Sequence, residues 1–275
     1  MGRALIIAGS ADMPGAAILA VGGALRAGVG YAVLSCLDSV AAAVAGHYPE
    51  TVLQTHGGAD NCLQEGHLAA ILQQVALADA ICIGPGLGTD PQTAALTLSL
   101  LRGLAANWPH KALLLDADGL NHLAASSVSL AALGLSSTVL TPHPGEAARL
   151  LKLSSAADVQ AQRPQAAQEL AAQSGATVVL KGEGSLVATG SGQPWHNPSG
   201  NAGMATAGSG DVLSGVLTAL LARGLQADHA ARLATYLHGR AGDLAAAEVG
   251  QESLIASDLI RFLPTAIREQ SADPS

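Results

Sequence analysis

Short, continuously apolar runs alternate with longer Ala- and Leu-rich stretches, and this alternation limits the fold more than any other feature of the chain. Ala4–Ala8, Tyr31–Cys36, Val52–Thr55, Ala80–Ile83, Ala112–Asp116, Thr138–Thr141 and Thr177–Lys181 read as strands. Most lack the apolar–polar alternation of a half-exposed strand, as expected where helices cover both faces of a parallel sheet. Gly15–Ala27, Leu63–Leu77, Pro91–Ala106, Gly145–Leu151 and Ala156–Gln173 read as the intervening helices. Ser185–Thr189 and Gln193–His196, split by Thr189-Gly190-Ser191-Gly192, predict a hairpin. Val212–Arg223, Asp228–Val249 and Ser253–Phe262 predict closing helices, and the polar tail at 268–275 is expected to fray. The pattern predicts an α/β fold: one domain over residues 1–275, a three-layer α/β/α sandwich with a mostly parallel central sheet.

Composition excludes several functions. The chain of 275 residues carries 13 basic and 21 acidic side chains, a net charge of −8. Coating a polyanion needs a basic face, so nucleic-acid binding is not expected. Trp108, Trp195, Tyr31, Tyr48, Tyr236 and Phe262 are the only aromatic residues, too few for a base-stacking platform. Mean hydropathy is +0.35. No apolar run approaches the roughly 18–20 residues of a spanning helix, and Val212–Ala222 is interrupted by Ser214, Gly215 and Thr218. No signal peptide is read at Met1-Gly2-Arg3. Cys36, Cys62 and Cys82 are too scattered for a zinc site, which fits a reducing cytoplasm.

In a parallel sheet ligands bind beyond the carboxyl ends of the strands. There the chain is rich in Gly, Asp, His and Lys. Gly9–Ala17 follows the first strand, and reads either as a close approach to a ligand or as an ordinary turn. Gly84-Pro85-Gly86-Leu87-Gly88 follows the fourth, as a phosphate cradle or a tight turn, with Asp90 capping the helix from Pro91. Asp116-Ala117-Asp118 either positions a metal-bound water or a hydroxyl or starts a helix at Asp118. His143 stands between Pro142 and Pro144, on a backbone that both prolines stiffen, and Glu146 suits the following helix dipole. Lys181, ahead of Gly182-Glu183-Gly184-Ser185, suits a phosphate or snorkels from a strand end. The strongest segment is Asn197–Asp211, whose glycines lead into an apolar helix starting near Val212. Such a junction aims backbone N–H groups at an anion. A carboxylate at that mouth, Asp211, is either a helix cap or a general base that deprotonates a hydroxyl attacking a phosphoryl group. No Gly-Lys-Ser/Thr follows the glycines, so the loop is not a Walker A motif.

Gly208-Ser209-Gly210-Asp211 resembles the anion-hole and base motif of the ribokinase-like superfamily. Gly15-Ala16-Ala17, Ala24–Gly30, Gly84–Gly88, Asp116–Asn121, Thr141–Glu146, Lys181-Gly182 and Asn197–Gly215 together resemble the ADP/ATP-dependent NAD(P)H-hydrate dehydratases, in order and over almost the whole chain. The resemblance implies a hydro-lyase of metabolite repair, which returns (S)-NADH hydrate or (S)-NADPH hydrate to the reduced cofactor. The C6 hydroxyl is phosphorylated by ADP or ATP, with Mg2+ on the nucleotide phosphates, and phosphate is then eliminated. It further implies Asp211 as catalytic base and substrate contact, with Ala17, Gly86, Gly88 and His143 at the hydrated cofactor. Lys181, Gly182, Glu183, Gly184, Ser185, Gly208, Ser209 and Gly210 fall to the nucleotide, and Asp116 and Asn121 to supporting roles. No residue is singled out as a metal ligand.

Two departures are visible. Family members usually carry a leader with a Lys-Gly pair before the first strand, and here a leader is expected to be missing or trimmed. Ala207 replaces a frequent glycine. No epimerase domain is read, so a separate epimerase is expected to convert the R form. The apolar composition suits self-association, and the resemblance implies a tetramer in the cytoplasm. The alternatives are a sibling alcohol kinase that stops at the phosphoester, and a non-catalytic nucleotide sensor. A hydride-transfer dehydrogenase lacks its Gly-x-Gly-x-x-Gly fingerprint after the first strand.

Overall fold

The computed structural model describes residues 2–57 and 62–272. Its strands are β1 (Arg3–Ile7), β2 (Tyr31–Leu37), β3 (Val52–His56), β4 (Ala80–Ile83), β5 (Ala112–Leu115), β6 (Thr138–Leu140), β7 (Thr177–Leu180), β8 (Leu186–Ala188) and β9 (Trp195–His196). Its helices are α1 (Pro14–Arg26), α2 (Asp38–His47), α3 (Leu68–Leu77), α4 (Pro91–Asn107), α5 (Asp118–Ala124), α6 (Leu130–Leu133), α7 (Pro144–Leu151), α8 (Ala156–Ala161), α9 (Arg163–Ser174), α10 (Ser209–Ala222), α11 (Ala227–Val249) and α12 (Ala256–Ala272). One nine-stranded sheet runs in the order β3-β2-β1-β4-β5-β6-β7-β8-β9. Pairing is parallel from β3 across to β7, and the β8–β9 hairpin adds antiparallel strands at one edge.

Continuous apolar runs become doubly covered strands. Every residue of β4 and of β7 is buried. The strand order reverses between β1 and β4, which places a ligand crevice beyond their carboxyl ends. α10 packs against α1, α11, β1, β4 and β5. It is buried all round from Val212 to Ala222, with the Ser214 and Thr218 hydroxyls hydrogen-bonded inside. Its seam with α1 leaves no room for side chains. A Cβ on Gly215 would lie 1.9 Å from the Ala20 carbonyl oxygen, and one on Gly23 would lie 2.5 Å from that of Val212.

Several boundaries differ from the sequence pattern. The stretch expected to be one helix over Ala156–Gln173 is two, α8 and α9, broken at Gln162. Pro164 has no N–H to continue the ladder and disfavours helical geometry before it. The Leu63–Leu77 helix begins at Leu68, after a 3₁₀ turn at Glu65–His67. β9 keeps two residues of the expected four, because Pro194 cannot donate to the hairpin ladder. α12 runs on through the expected frayed tail to Ala272, and 273–275 lie outside the described residues. Ala266 is buried, and Glu269 pairs with Arg240 on α11 at 2.8 Å, which ties this end down. α10 starts at Ser209, ahead of the expected Val212, because Gly208 takes the left-handed cap position at φ 85°.

Candidate active site

Gly208 sets the site. Its positive φ turns the chain so that Ser209, Gly210 and Asp211 form the first turn of α10. The N–H groups of a first turn have no intrahelical acceptor and aim outward with the positive end of the dipole. Asp211 is therefore the third helical residue, not the cap. A Cβ on Gly210 would lie 3.3 Å from Lys181 Nζ and 4.0 Å from Asp116 Oδ2, so the ammonium rests against this turn. Glycine there lets the ammonium approach the first turn of α10 closely.

Lys181 follows β7, with its side chain 19% exposed. Its Nζ lies 2.6 Å from Asp116 Oδ1 and 3.9 Å from Glu146 Oε2. Burial pulls the ammonium pKa down, but Asp116 and Glu146 outweigh burial and the net direction is up, so Lys181 stays charged. Asp116 is buried at the end of β5, and its Oδ2 accepts the Ser214 hydroxyl at 2.6 Å. Burial pushes the Asp211 carboxyl up to about 7, with Asp116, Asp118 and Glu146 adding to the push and Lys181 opposing it. Such a carboxyl gives up and recovers a proton near neutrality. Burial likewise raises Glu146, against the pull of Lys181.

His143 caps α7. Its Nδ1 accepts the Gly145 N–H at 3.0 Å, and its backbone N–H donates to Glu146 Oε2 at 2.7 Å, a reciprocal capping box. The ring is half exposed, and its Nε2 lies 3.4 Å from Glu146 Oε1. Burial, Lys181 and Arg149 all push its pKa down, so the ring is neutral. Glu146 thus links His143 to Lys181, beyond the dipole role its position suggested.

The loops after β1 and β4 meet at the crevice. Gly9 N–H donates to the Pro85 carbonyl at 2.8 Å, and a Cβ on Gly86 would lie 2.6 Å from the Ala16 Cβ. Gly86 is buried and Gly88 half-buried, and Gly88 N–H donates to Asp118 Oδ2 at 2.8 Å. Ala17 is fully buried beneath Gly9, while Met13 and Gly15 at the start of α1 are exposed. Ala117 separates the two acids at φ 47° and ψ −118°, a region L side chains rarely adopt. This bend sends Asp116 toward Lys181 and Asp118 toward Gly88. Ala117→Gly is expected to raise the unfolding free energy by about 1 kcal/mol. Urea melts read this directly, and an unchanged or lower midpoint would show that the alanine carries no strain.

The remaining nucleotide candidates lie at the rim. Gly182, Glu183 and Gly184 are exposed, and the Ser185 hydroxyl donates to the Gly182 carbonyl at 3.0 Å. Arg163 braces this turn by donating to the carbonyls of Glu183 and Leu180. Under Ser209 lies buried His238, whose Nε2–H donates to the Ser209 carbonyl at 2.9 Å. Burial drives its pKa down to about 4, against that hydrogen bond, so the ring stays neutral. The loop before α10 is tied to α11 by Asp243, which accepts from Gly200 N–H and Asn201 Nδ2 at 3.0 Å each. Ser214, His238, Arg163 and Asp243 carry no local sequence signal, since each meets its partner only through tertiary folding.

The sandwich is that of ribokinase-like proteins. A bifunctional NAD(P)H-hydrate repair enzyme of Thermofilum pendens is 40% identical over 99% of this chain, which spans 51% of that protein. The chain thus covers about half the length of such bifunctional relatives. The ADP-dependent (S)-NAD(P)H-hydrate dehydratase of Bacillus subtilis is 35% identical, with 96% of this chain and 88% of that one aligned. A Bacillus subtilis ADP/ATP-dependent NAD(P)H-hydrate dehydratase crystallised with ATP and Mg2+ superposes with a TM-score of 0.80 at 32% identity, covering 98% of this chain and 89% of that one. The sequence model of the NAD(P)H-hydrate dehydratase family matches residues 4–265. With nearly its full length matched, the chain belongs to the NAD(P)H-hydrate dehydratase family.

Proposed function

We propose that this chain dehydrates (S)-NADH or (S)-NADPH hydrate at the expense of ADP or ATP. The observation that carries the reading is Asp211, a carboxyl titrating near neutrality inside a helix turn built for an anion. Hydroxide is a poor leaving group, so the C6 hydroxyl must first be esterified. Asp211 takes the hydroxyl proton as the oxygen forms its bond to phosphorus and the phosphoanhydride bond breaks. The N–H groups of Gly210 and Asp211, with Lys181, face the charge that develops on the phosphoryl oxygens. The ring nitrogen lone pair then expels phosphate, and loss of the C5 proton restores the C5–C6 double bond. His143, Gly86 and Gly88 are assigned to the hydrated nicotinamide, and Lys181–Ser185 with Gly208–Gly210 to the nucleotide.

Mg2+ fits this site in a limited sense. Among the described residues no group of three or more His, Cys, Asp or Glu side chains forms a metal cage. Asp211 is left to the hydroxyl proton, so the ion would be held by the nucleotide phosphates and water. The ion would neutralise charge on the nucleotide phosphates. A separate epimerase for the R form and a homotetrameric assembly belong to the same proposal. No helix among the described residues is long and apolar enough to cross a membrane.

The test is a recovery assay with S-epimer NADH or NADPH hydrate, Mg2+, and either ADP or ATP. Return of the near-ultraviolet absorbance of the dihydronicotinamide only when nucleotide is present is expected, and the faster nucleotide names the donor. A stable phosphoester product in place of that recovery would reassign the chain to a sibling alcohol kinase.

A further inference from the structure

We propose that α5 is a positioning element, in which Asp118 and His122 hold both polar groups of Gly88 and so fix the loop that receives the hydrated nicotinamide. The clamp is built from short, part-buried contacts. Gly88 N–H donates to Asp118 Oδ2 at 2.8 Å, and the Gly88 carbonyl lies 2.9 Å from His122 Nε2. A carbonyl can only accept, so Nε2 carries the proton. The Thr97 hydroxyl lies 2.9 Å from Nδ1 and locks the ring from α4. His122 is buried, and burial lowers its pKa against the pull of Gly88 and Asp118, which keeps one proton on the ring.

Gly88 needs such support. It adopts φ 78° with nothing within 4 Å of where a Cβ would stand, so nothing packs on that face of its backbone. The clamp also reaches the far side of the crevice. Asp118 Oδ1 accepts from Asn121 Nδ2 at 3.1 Å, and Asn121 Oδ1 accepts from Arg149 Nε at 3.1 Å. Arg149 lies on α7, the helix that His143 caps. One helix therefore ties the Gly88 backbone to the helix that His143 caps, two segments assigned to one ligand. The proposal rests on that assignment.

Two readouts separate the clamp from the assignment. His122→Gln keeps an N–H donor near the Nε2 position, whereas His122→Asn keeps only the Thr97 contact and His122→Leu keeps neither. Asp118→Asn retains an acceptor for Gly88 N–H, and Asp118→Ala does not. In the recovery assay, His122→Leu, His122→Asn and Asp118→Ala are expected to raise KM for the hydrate about tenfold, with kcat and nucleotide KM within about twofold. His122→Gln and Asp118→Asn should recover most of that loss. Amide hydrogen exchange should quicken at residues 84–90 in the same three variants. Unchanged exchange overturns the clamp. Faster exchange with an unchanged hydrate KM, or a matching rise in nucleotide KM, overturns the positioning role. Wild-type protein without turnover overturns the assignment and the substrate half of the proposal, while exchange still decides the clamp.

Discussion

Asp211→Asn is expected to cut turnover by about a thousandfold while nucleotide affinity stays within about threefold. Asparagine keeps the shape and the helix turn but cannot accept the hydroxyl proton. The same substitution has a second signature in stability. In the folded chain the Asp211 carboxyl titrates near 7, and in the unfolded chain near an ordinary aspartate, about 3.9. Well below pH 4 the group is protonated in both states and affects neither. From there to pH 7 the unfolded chain ionises first, so stability falls as pH rises and levels off above 7. Asp211→Asn should therefore raise the unfolding free energy by about 2 kcal/mol at pH 8, and the gain should fade toward pH 4. Calorimetry or urea melts across that range, paired with single-turnover kinetics, test both halves. Full activity in the variant would remove the base from the mechanism, and a pH-independent gain would show that the carboxyl is not perturbed.

Lys181→Met is expected to lower the unfolding free energy by about 3 kcal/mol. The methionine fills the same volume but leaves Asp116, 1% exposed, as a buried charge whose one remaining side-chain hydrogen bond among the described residues is to the Ser214 hydroxyl. Adding Asp116→Asn removes that charge, so the double variant should recover at least half of the loss. The double-mutant cycle reads the coupling directly, and strictly additive losses would show that the 2.6 Å pair carries no net energy. Nucleotide affinity should fall in the single and double variants alike, because the cation is absent from both. Affinity equal to wild type in either would take Lys181 out of the nucleotide site.

The layered fold was legible because β4, β5 and β7 are apolar on both faces, a pattern that few other arrangements can bury. α2 was not: Asp38–His47 is a run of small residues whose buried face is only Val40, Ala41 and Val44, joined to β2 without a turn signal. The loops at the strand ends were legible as a set, since their glycines and polar residues interrupt apolar runs. Their interconnection was not. Asp116 and Lys181 are 65 positions apart, and Ser214 reads only as an interruption in an apolar helix. His122 carries no spacing signal, because its partners Thr97 and Gly88 come from α4 and the loop before it. Glu146 looked like a helix-dipole partner because the capping box is local, whereas its approach to Lys181 is tertiary.

The glycine seam between α1 and α10 bears on the order in which the molecule can be made. Gly215 meets Ala20 across a gap of 195 residues, which a ribosome adding about 5–20 residues per second takes some 10–40 s to cross. Until then α1 has emerged without the helix that buries its small-residue face. The Gly208–Asp211 turn stands at the head of that late helix, so the crevice acquires the Asp211 carboxyl only after every strand of the sheet has been made. A nascent chain thus holds the loops after β1 and β4 well before it holds the turn that carries Asp211.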